Sequence, residues 1–528
     1  MKGVIVLMFS QVIIKIVGLI YKLYLTNKEG FGDRGNAIYS SAFQIYAIFL
    51  TISSIGVPNA ISKLVSCKVA VGDNKGAYRI FKIAFALFGI LGFAGSSILF
   101  FGANYISNMY LQIPEAELAL LALSPSVFLV SIASVLRGYF NGRENLSVTA
   151  NSQSLEQVFK TIFTVLVVGQ IASISSNNTI LMAAGATIAT TLSTLFSLGY
   201  LYKYFTKRKK EVWQEVTSST VYKKESIIKI IKSILLVSVP IALCALFSST
   251  TKTIDALTVI RILRNYIGEE EATIQYGILS GKIDTLITLP FSFNIALATA
   301  LVPTISSAIA KKEMNIVKRR IEFSILITIL IGWPCTICTS AFSNEILELL
   351  FPNASAGSEM LQIASWTIIF VVLIQTINGA LQGLGKVNTP VAAFAIGAIV
   401  KMVLNTILIP IKGIGVNGAI ISSVISHFIS LVICFLSLKK NINIHFNISK
   451  FLIKPIICSI LMYTATYIVY NKFNINISRS MLLICSLFIG LIVYIISIFL
   501  LNILSREEIF MIPYGQKMYK IMYKNRKK

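Results

Sequence analysis

Ionisable side chains interrupt the long apolar runs of this sequence, and the types and spacing of nine of them define the chemistry it can offer. Lys15 and Lys22 are seven positions apart, hence on one face of a helix, and Glu156 and Lys160 stand in i,i+4 register. Lys252 with Asp255, Lys282 with Asp284, and Lys401 complete the set, with Arg261 and Arg264 further along the run that holds Asp255. An ionisable group at the centre of a bilayer costs at least a few kcal/mol unless it faces a cavity or a partner, so these positions are functional candidates by default. Lysines supply point charges for phosphate oxygens. Lys15, Lys22, Lys160, Lys252, Lys282 and Lys401 are therefore candidate ligands of an anion, with Lys15 and Lys401 nearest mid-span. Glu156, Asp255 and Asp284 are candidate acidic or ion-coupling groups. The plainer readings are that Lys22, Lys282, Arg261 and Arg264 snorkel to an interface, and that Glu156 and Lys160 neutralise each other.

Covalent chemistry has little to work with here. The sequence holds no GxxxxGK[ST], HExxH or GxSxG pattern and no paired cysteine motifs of a zinc site. Cys335 and Cys338 form a lone CxxC within an apolar run, which reads as packing rather than as a metal or redox centre. His427, alone in another apolar run, suits an interior hydrogen-bonded group better than a proton relay. The expectation is a protein that is not an enzyme and has neither cofactor nor metal, with coupling to membrane potential or a monovalent cation left open.

The elements that carry these residues are set by composition. Of 528 residues, 55% are hydrophobic and 13% charged, with mean hydropathy +0.78. A soluble domain is nearer a quarter charged. Apolar segments of about 20 residues, each able to cross a core of about 30 Å as helix, recur near 3–25, 37–62, 81–103, 117–136, 152–170, 180–202, 230–260, 276–301, 321–342, 360–381, 391–411, 416–437, 452–471 and 481–503. The seventh is too long for a straight perpendicular crossing, so it tilts, bends near Pro240, or extends beyond the bilayer. Gly56, Pro58, Pro290 and Pro303 are candidate hinges, being residues that interrupt helices where a cavity is lined or a lobe bends.

Charge gives the orientation. The 47 Lys+Arg against 22 Asp+Glu leave a formal +25, but the clusters at 63–82, 207–224 and 311–320 all follow even-numbered spans. The positive-inside rule then puts both termini in the cytoplasm of an inner-membrane, multi-pass protein, and explains the charge without nucleic acid. The opening run is longer than a signal peptide's apolar core and lacks a small-residue cleavage site, so it reads as a retained first helix.

The chain also repeats itself. Pro58 and Pro303 close the second and eighth spans, and Gly138 and Gly383 close the fourth and tenth; both pairs are 245 positions apart. The same offset lays Lys160-Thr161-Ile162 over Asn405-Thr406-Ile407. Six spans separate the copies, so both start from one side, as in parallel repeats of a two-lobed transporter. The domains follow: a six-helix lobe over 1–202, a basic cytoplasmic linker over 203–229 with Trp213 at the membrane surface, a second six-helix lobe over 230–438, two further helices over 439–503, and a basic tail over 504–528.

The strings Lys15-Ile16-Val17-Gly18-Leu19-Ile20-Tyr21-Lys22 and Gly56-Val57-Pro58-Asn59-Ala60-Ile61-Ser62-Lys63 resemble the opening helices of the stage V sporulation protein B group. So do Leu136-Arg137-Gly138-Tyr139-Phe140-Asn141-Gly142, Ser152-Gln153-Ser154-Leu155-Glu156-Gln157 and Leu381-Gln382-Gly383-Leu384-Gly385-Lys386-Val387. That group is placed with the lipid II flippase MurJ in the polysaccharide-export branch of the multidrug/oligosaccharidyl-lipid/polysaccharide, or MATE-like, superfamily. The resemblance implies an all-α fold of about 14 transmembrane helices, with two six-helix lobes in a V-shaped arrangement plus two C-terminal helices. It also implies alternating access, a lipid-linked peptidoglycan precursor as cargo, a role in spore cortex, and peptidoglycan-synthesis proteins as partners alongside membrane lipids. Lys15, Lys22 and Lys282 would correspond to the cationic residues of such cavities, where arginine is frequent; lysine lacks the bidentate fork. A flippase for another polyprenyl-diphosphate oligosaccharide and a cation-coupled multidrug exporter are the alternatives.

Overall fold

Long apolar runs can satisfy their backbone groups in lipid only as helices, and helix is what the chain forms. The computed structural model describes residues 2–51, 56–143, 145–175, 178–219, 225–310, 312–386, 388–442, 447–472 and 478–511. Among them are twenty α-helices, with π-helical turns at Ile106–Leu111, Ile278–Ile283 and Ser449–Ile453 and no strand. Two compact units emerge: Met1–Ser292 with Leu350–Met360 and Phe394–Ser426, and Phe293–Leu349 with Leu361–Ala393 and His427–Lys528.

The first ten helices are α1 (Lys2–Asn27), α2 (Gly32–Thr51), α3 (Val57–Ala70), α4 (Asn74–Tyr105), α5 (Glu117–Gly142), α6 (Leu146–Ile174), α7 (Thr179–Lys207), α8 (Lys209–Thr217), α9 (Ile227–Ile267) and α10 (Glu269–Gly277). All belong to the first unit. Side chains start several of them: Asp73 accepts from Gly76 N at α4, Asn178 from Leu181 N at α7, and Ser226 from Lys229 N at α9. Val57, Ile61, Phe81, Leu136, Tyr139 and Leu201 pack into one buried cluster. α9 runs unbroken for 41 residues, about 60 Å at 1.5 Å per residue, so it extends well past a 30 Å core; the side chain of Pro240 lies outside the described residues. Short α8 buries Val212 and Val216 and leaves Trp213 half-exposed, edge-on to Tyr78 at 6.1 Å.

The remaining helices are α11 (Asp284–Ala310), α12 (Met314–Ala341), α13 (Ser343–Leu350), α14 (Ser358–Ala364), α15 (Trp366–Gly383), α16 (Asn388–Leu408), α17 (Val416–Asn441), α18 (Lys454–Lys472), α19 (Arg479–Leu500) and α20 (Arg506–Met511). The second unit is cored by Ile305, Ile321, Leu326, Leu381, Cys458 and Tyr494. Cys335 and Cys338 are free thiols in α12, and His427 is half-buried in α17.

The glycines of the repeat play the same part in each unit. A Cβ on Gly138 would lie 2.9 Å from Ile61 Cβ and 3.0 Å from Pro58 Cα, and one on Gly383 would lie 2.8 Å from Ile305 Cβ and 3.1 Å from Val302 O. Each glycine thus lets one helix close on the end of another.

Ten described helices are long and apolar enough to cross a membrane, and they match the third to sixth and ninth to fourteenth expected spans. The other four expected spans fall on α1, on α2 with α3, on α9 and on α10 with α11. Those segments carry Lys15, Lys22, Lys252, Asp255, Lys282 and Asp284. Of the candidate hinges, Gly56 stands just before α3 with helical torsions and Pro58 in its first turn, where proline is compatible with helix. α11 continues through Pro290, and the side chain of Pro303 lies outside the described residues, as do Ser54 and Ile55.

Candidate functional site

Within the first unit, α1, α2, α6, α9 and the π-turn leading into α11 enclose a cavity of about 280 Å³. The seven-residue spacing places Lys15 and Lys22 of α1 on its wall. α6 adds Lys160 and Gln157, α2 adds Tyr39, Phe43 and Gln44, α9 adds Lys252, and Ser280, Asp284 and Thr285 come from the π-turn and α11. Four ammonium groups face one carboxylate, which leaves a formal excess of three positive charges. Asp284 takes up Lys252, with 3.2 Å between Oδ2 and Nζ.

Lys22 and Lys160 are held by ring faces rather than by carboxylates. Lys22 Nζ is 5.1 Å from the centroid of Tyr39, and Lys160 Nζ is 4.9, 5.8 and 4.7 Å from Tyr21, Tyr39 and Phe43. The two phenols also meet, with 3.3 Å between their oxygens. Aromatic faces stabilise a cation by about 0.5–2 kcal/mol without cancelling its charge. The cavity can therefore offer positive charge and N–H donors to an anion, with the hydroxyls and amides of Ser280, Gln44 and Gln157 beside them.

The other candidates lie elsewhere. Lys282 is fully buried and binds Asp33 at 2.9 Å and the carbonyl of Ala354 at 2.6 Å, so the expected cavity lysine is a tie between the π-turn and the start of α2. Lys401, 1% exposed, donates to Asp255 Oδ2 at 2.6 Å and Ser423 Oγ at 2.5 Å. Asn405 donates to the second Asp255 oxygen at 3.2 Å and to Thr258 at 2.8 Å. Lys401 and Asp255, read separately in the sequence, thus close one buried network joining α16, α9 and α17.

Glu156 does not pair with Lys160. It accepts from Arg137 at 2.6 Å, and that guanidinium also donates to Ser152 at 3.0 Å and Ser197 at 2.9 Å. Thr194 links the pair to Ser126 and Tyr46 through contacts of 3.4, 3.3 and 2.8 Å. The chain of polar groups pins α2, α5, α6 and α7 together and leaves Lys160 to the cavity. Sequence reading did not single out Arg137, Asp33, Tyr21 or Tyr39 for these roles. Arg137 stands one position beyond the fourth expected span, the only local signal of a buried charge.

An all-helical, multi-pass assembly with a charged pocket among its helices is the build of a membrane transporter. The chain belongs to the polysaccharide biosynthesis protein family, whose model matches residues 1–309, and the MatE model matches residues 282–407. It is 26% identical to stage V sporulation protein B of Bacillus subtilis (strain 168) over 433 residues, 80% of each chain. It is 24% identical to the lipid II flippase MurJ of the same organism over 453 residues, 84% of this chain and 82% of the relative. Among solved structures, the inward closed conformation of lipid II flippase MurJ aligns with TM-score 0.66 at 16% identity, covering 93% of this chain and 98% of the other. An inward-facing multidrug resistance MATE family transporter of the MOP superfamily aligns with TM-score 0.67 at 14% identity, covering 83% and 98%. At those identities the structures speak for the fold. The protein is a MOP-superfamily membrane transporter of the flippase type, not an enzyme.

Proposed function

We propose that the chain carries a lipid-linked peptidoglycan precursor of the lipid II type across the cytoplasmic membrane by alternating access, in the service of spore cortex synthesis. The observation that carries this reading is the cavity in which Lys15, Lys22, Lys160 and Lys252 outnumber the single carboxylate of Asp284. The diphosphate enters that cavity and meets the ammonium groups, while the polyprenyl tail stays in lipid. The names of the two Bacillus relatives, one a sporulation protein and one a lipid II flippase, support the cargo and the setting. The matching close approaches at Gly138 and Gly383 support two six-helix lobes over 1–202 and 230–438, a linker over 203–229, two added helices over 439–503 and a tail over 504–528. Basic clusters after even-numbered spans favour cytoplasmic termini.

Lysine is a point charge that sets weak geometric demands, so the same wall would also suit another polyprenyl-diphosphate oligosaccharide. A cation-coupled drug exporter would need the opposite charge balance. The test is translocation of fluorescent lipid II, and of a second polyprenyl-diphosphate sugar, in proteoliposomes with and without an imposed potential. Movement of lipid II supports the proposal as stated; movement of the other cargo alone reassigns it within the flippases. Failure to move either, with export of a cationic drug, would overturn it.

A further inference from the structure

The second unit holds a groove of about 320 Å³ that the cationic cavity does not explain, and its wall is wholly apolar. Ile329 of α12, Leu373 of α15, Val432 and Leu436 of α17, and Ile448 and Leu452 beside the start of α18 define it, with Phe451 buried at its floor. The Ser449–Ile453 segment winds as a π-helix, a widened turn that is rare and frequent at functional sites. Leu436, Ile448 and Leu452 are 58, 67 and 46% exposed, so the groove opens outward rather than into the core.

The α17 face that lines the groove continues into charge. Val432, Phe435 and Leu436 line it from α17, and Lys439 and Lys440 follow at the spacings of three and four that keep one helical face. Both lysines are exposed, and among the described residues neither is in an ion pair. A concave apolar slot ending at two ammonium groups has the polarity of an anionic diacyl lipid: chain in the slot, phosphate at its mouth. Basic residues at the ends of membrane helices attract anionic headgroups by about 1 kcal/mol each, while an acyl chain passing from bilayer to slot stays among apolar groups, so the charge and not the chain sets the preference.

We propose that this groove is a binding site for an anionic phospholipid of the surrounding membrane, with an acyl chain between α12, α15 and α17 and the phosphate on Lys439 and Lys440. The site is separate from the proposed cargo site, and its test does not depend on translocation. Native mass spectrometry of the full chain, released from detergent with phosphatidylglycerol or phosphatidylcholine, reads the bound lipid. Native protein is expected to retain phosphatidylglycerol preferentially. The double variant K439Q/K440Q should weaken that binding about thirtyfold while leaving phosphatidylcholine unchanged. Leu436→Trp, which fills the slot, should weaken both lipids alike, and an unchanged melting temperature establishes that each variant is folded. Equal retention of the two lipids by native protein, or no loss in K439Q/K440Q, would overturn the proposal. So would a polyprenyl phosphate displacing the phospholipid at equal concentration, or a dimer that Leu436→Trp dissociates.

Discussion

Lys160 and Lys401 are both buried lysines of the first unit, yet the structure predicts opposite phenotypes when their charge is removed. Lys160→Gln takes the ammonium from three ring faces and leaves no carboxylate behind. The stability lost is the cation–π contribution, about 0.5–2 kcal/mol. On the proposed function the activity lost is larger, since a hydrogen bond to a charged group is worth about 1.5–3 kcal/mol, or about ten- to a hundredfold in diphosphate affinity. Lys401→Gln instead strips Asp255, only 14% exposed, of its cation, and removing one partner of a buried pair costs about 3–5 kcal/mol. K401Q should therefore melt far below native protein, and K401Q/D255N should recover most of the difference. Melting temperatures of the purified variants, measured beside lipid II binding, separate the two effects. A K160Q protein that binds lipid II normally, or a K401Q protein that melts like the native one, would refute this division of the lysines.

The remaining predictions use other parts of the molecule. Lys282→Ala should destabilise the first unit by several kcal/mol because Asp33 loses its buried partner, and K282A/D33N should restore thermal stability. Gly138→Ala and Gly383→Ala should each cost about 1–3 kcal/mol, since the new methyl meets a β-branched side chain and backbone at about 3 Å; equal melting temperatures for native and variants would contradict the packing. Lys450 holds Glu508 through both carboxylate oxygens at 2.6 and 2.8 Å. Burial works against the ionised form of Glu508, but the hydrogen bonds from Lys450 and Ser505 outweigh it and hold the carboxyl below its ordinary range. A depressed folded pKa gives stability that is complete above the unfolded value of about 4.3 and is lost as pH falls through the folded one. Protection of α20 amides, measured against their intrinsic exchange rate at each pH, should thus fall below about pH 4, and Glu508→Gln should lower it already at pH 7.

Composition and period made the helical class readable, because a backbone in lipid has almost no other choice. The Lys15 and Lys22 spacing was readable for the same reason: seven residues make nearly two turns whatever surrounds them. The partners were not. Glu156 has Lys160 one turn away, but Arg137 of α5 offers a fork that Ser152 and Ser197 also engage, and this contact depends on how α5, α6 and α7 pack. Lys401 and Asp255 are separated by 146 positions, and no local pattern joins them. Nothing local marks the π-turn at Ile278–Ile283, which brings Ser280 to the cavity and Lys282 to Asp33. Tyr21 and Tyr39 carry no local sign of a cation site, and only the fold brings Lys160 to their rings.

The proposed function rests on positive charge in this cavity recognising a lipid-linked diphosphate. Equilibrium binding of a polyprenyl diphosphate and of the matching neutral polyprenol, to native protein and to Lys15→Ala and Lys160→Gln, tests it most directly. Tight binding of the diphosphate alone is expected, weakened about tenfold or more by either substitution in a folded protein. Equal binding of the neutral polyprenol, or diphosphate affinity that neither substitution alters, would contradict it.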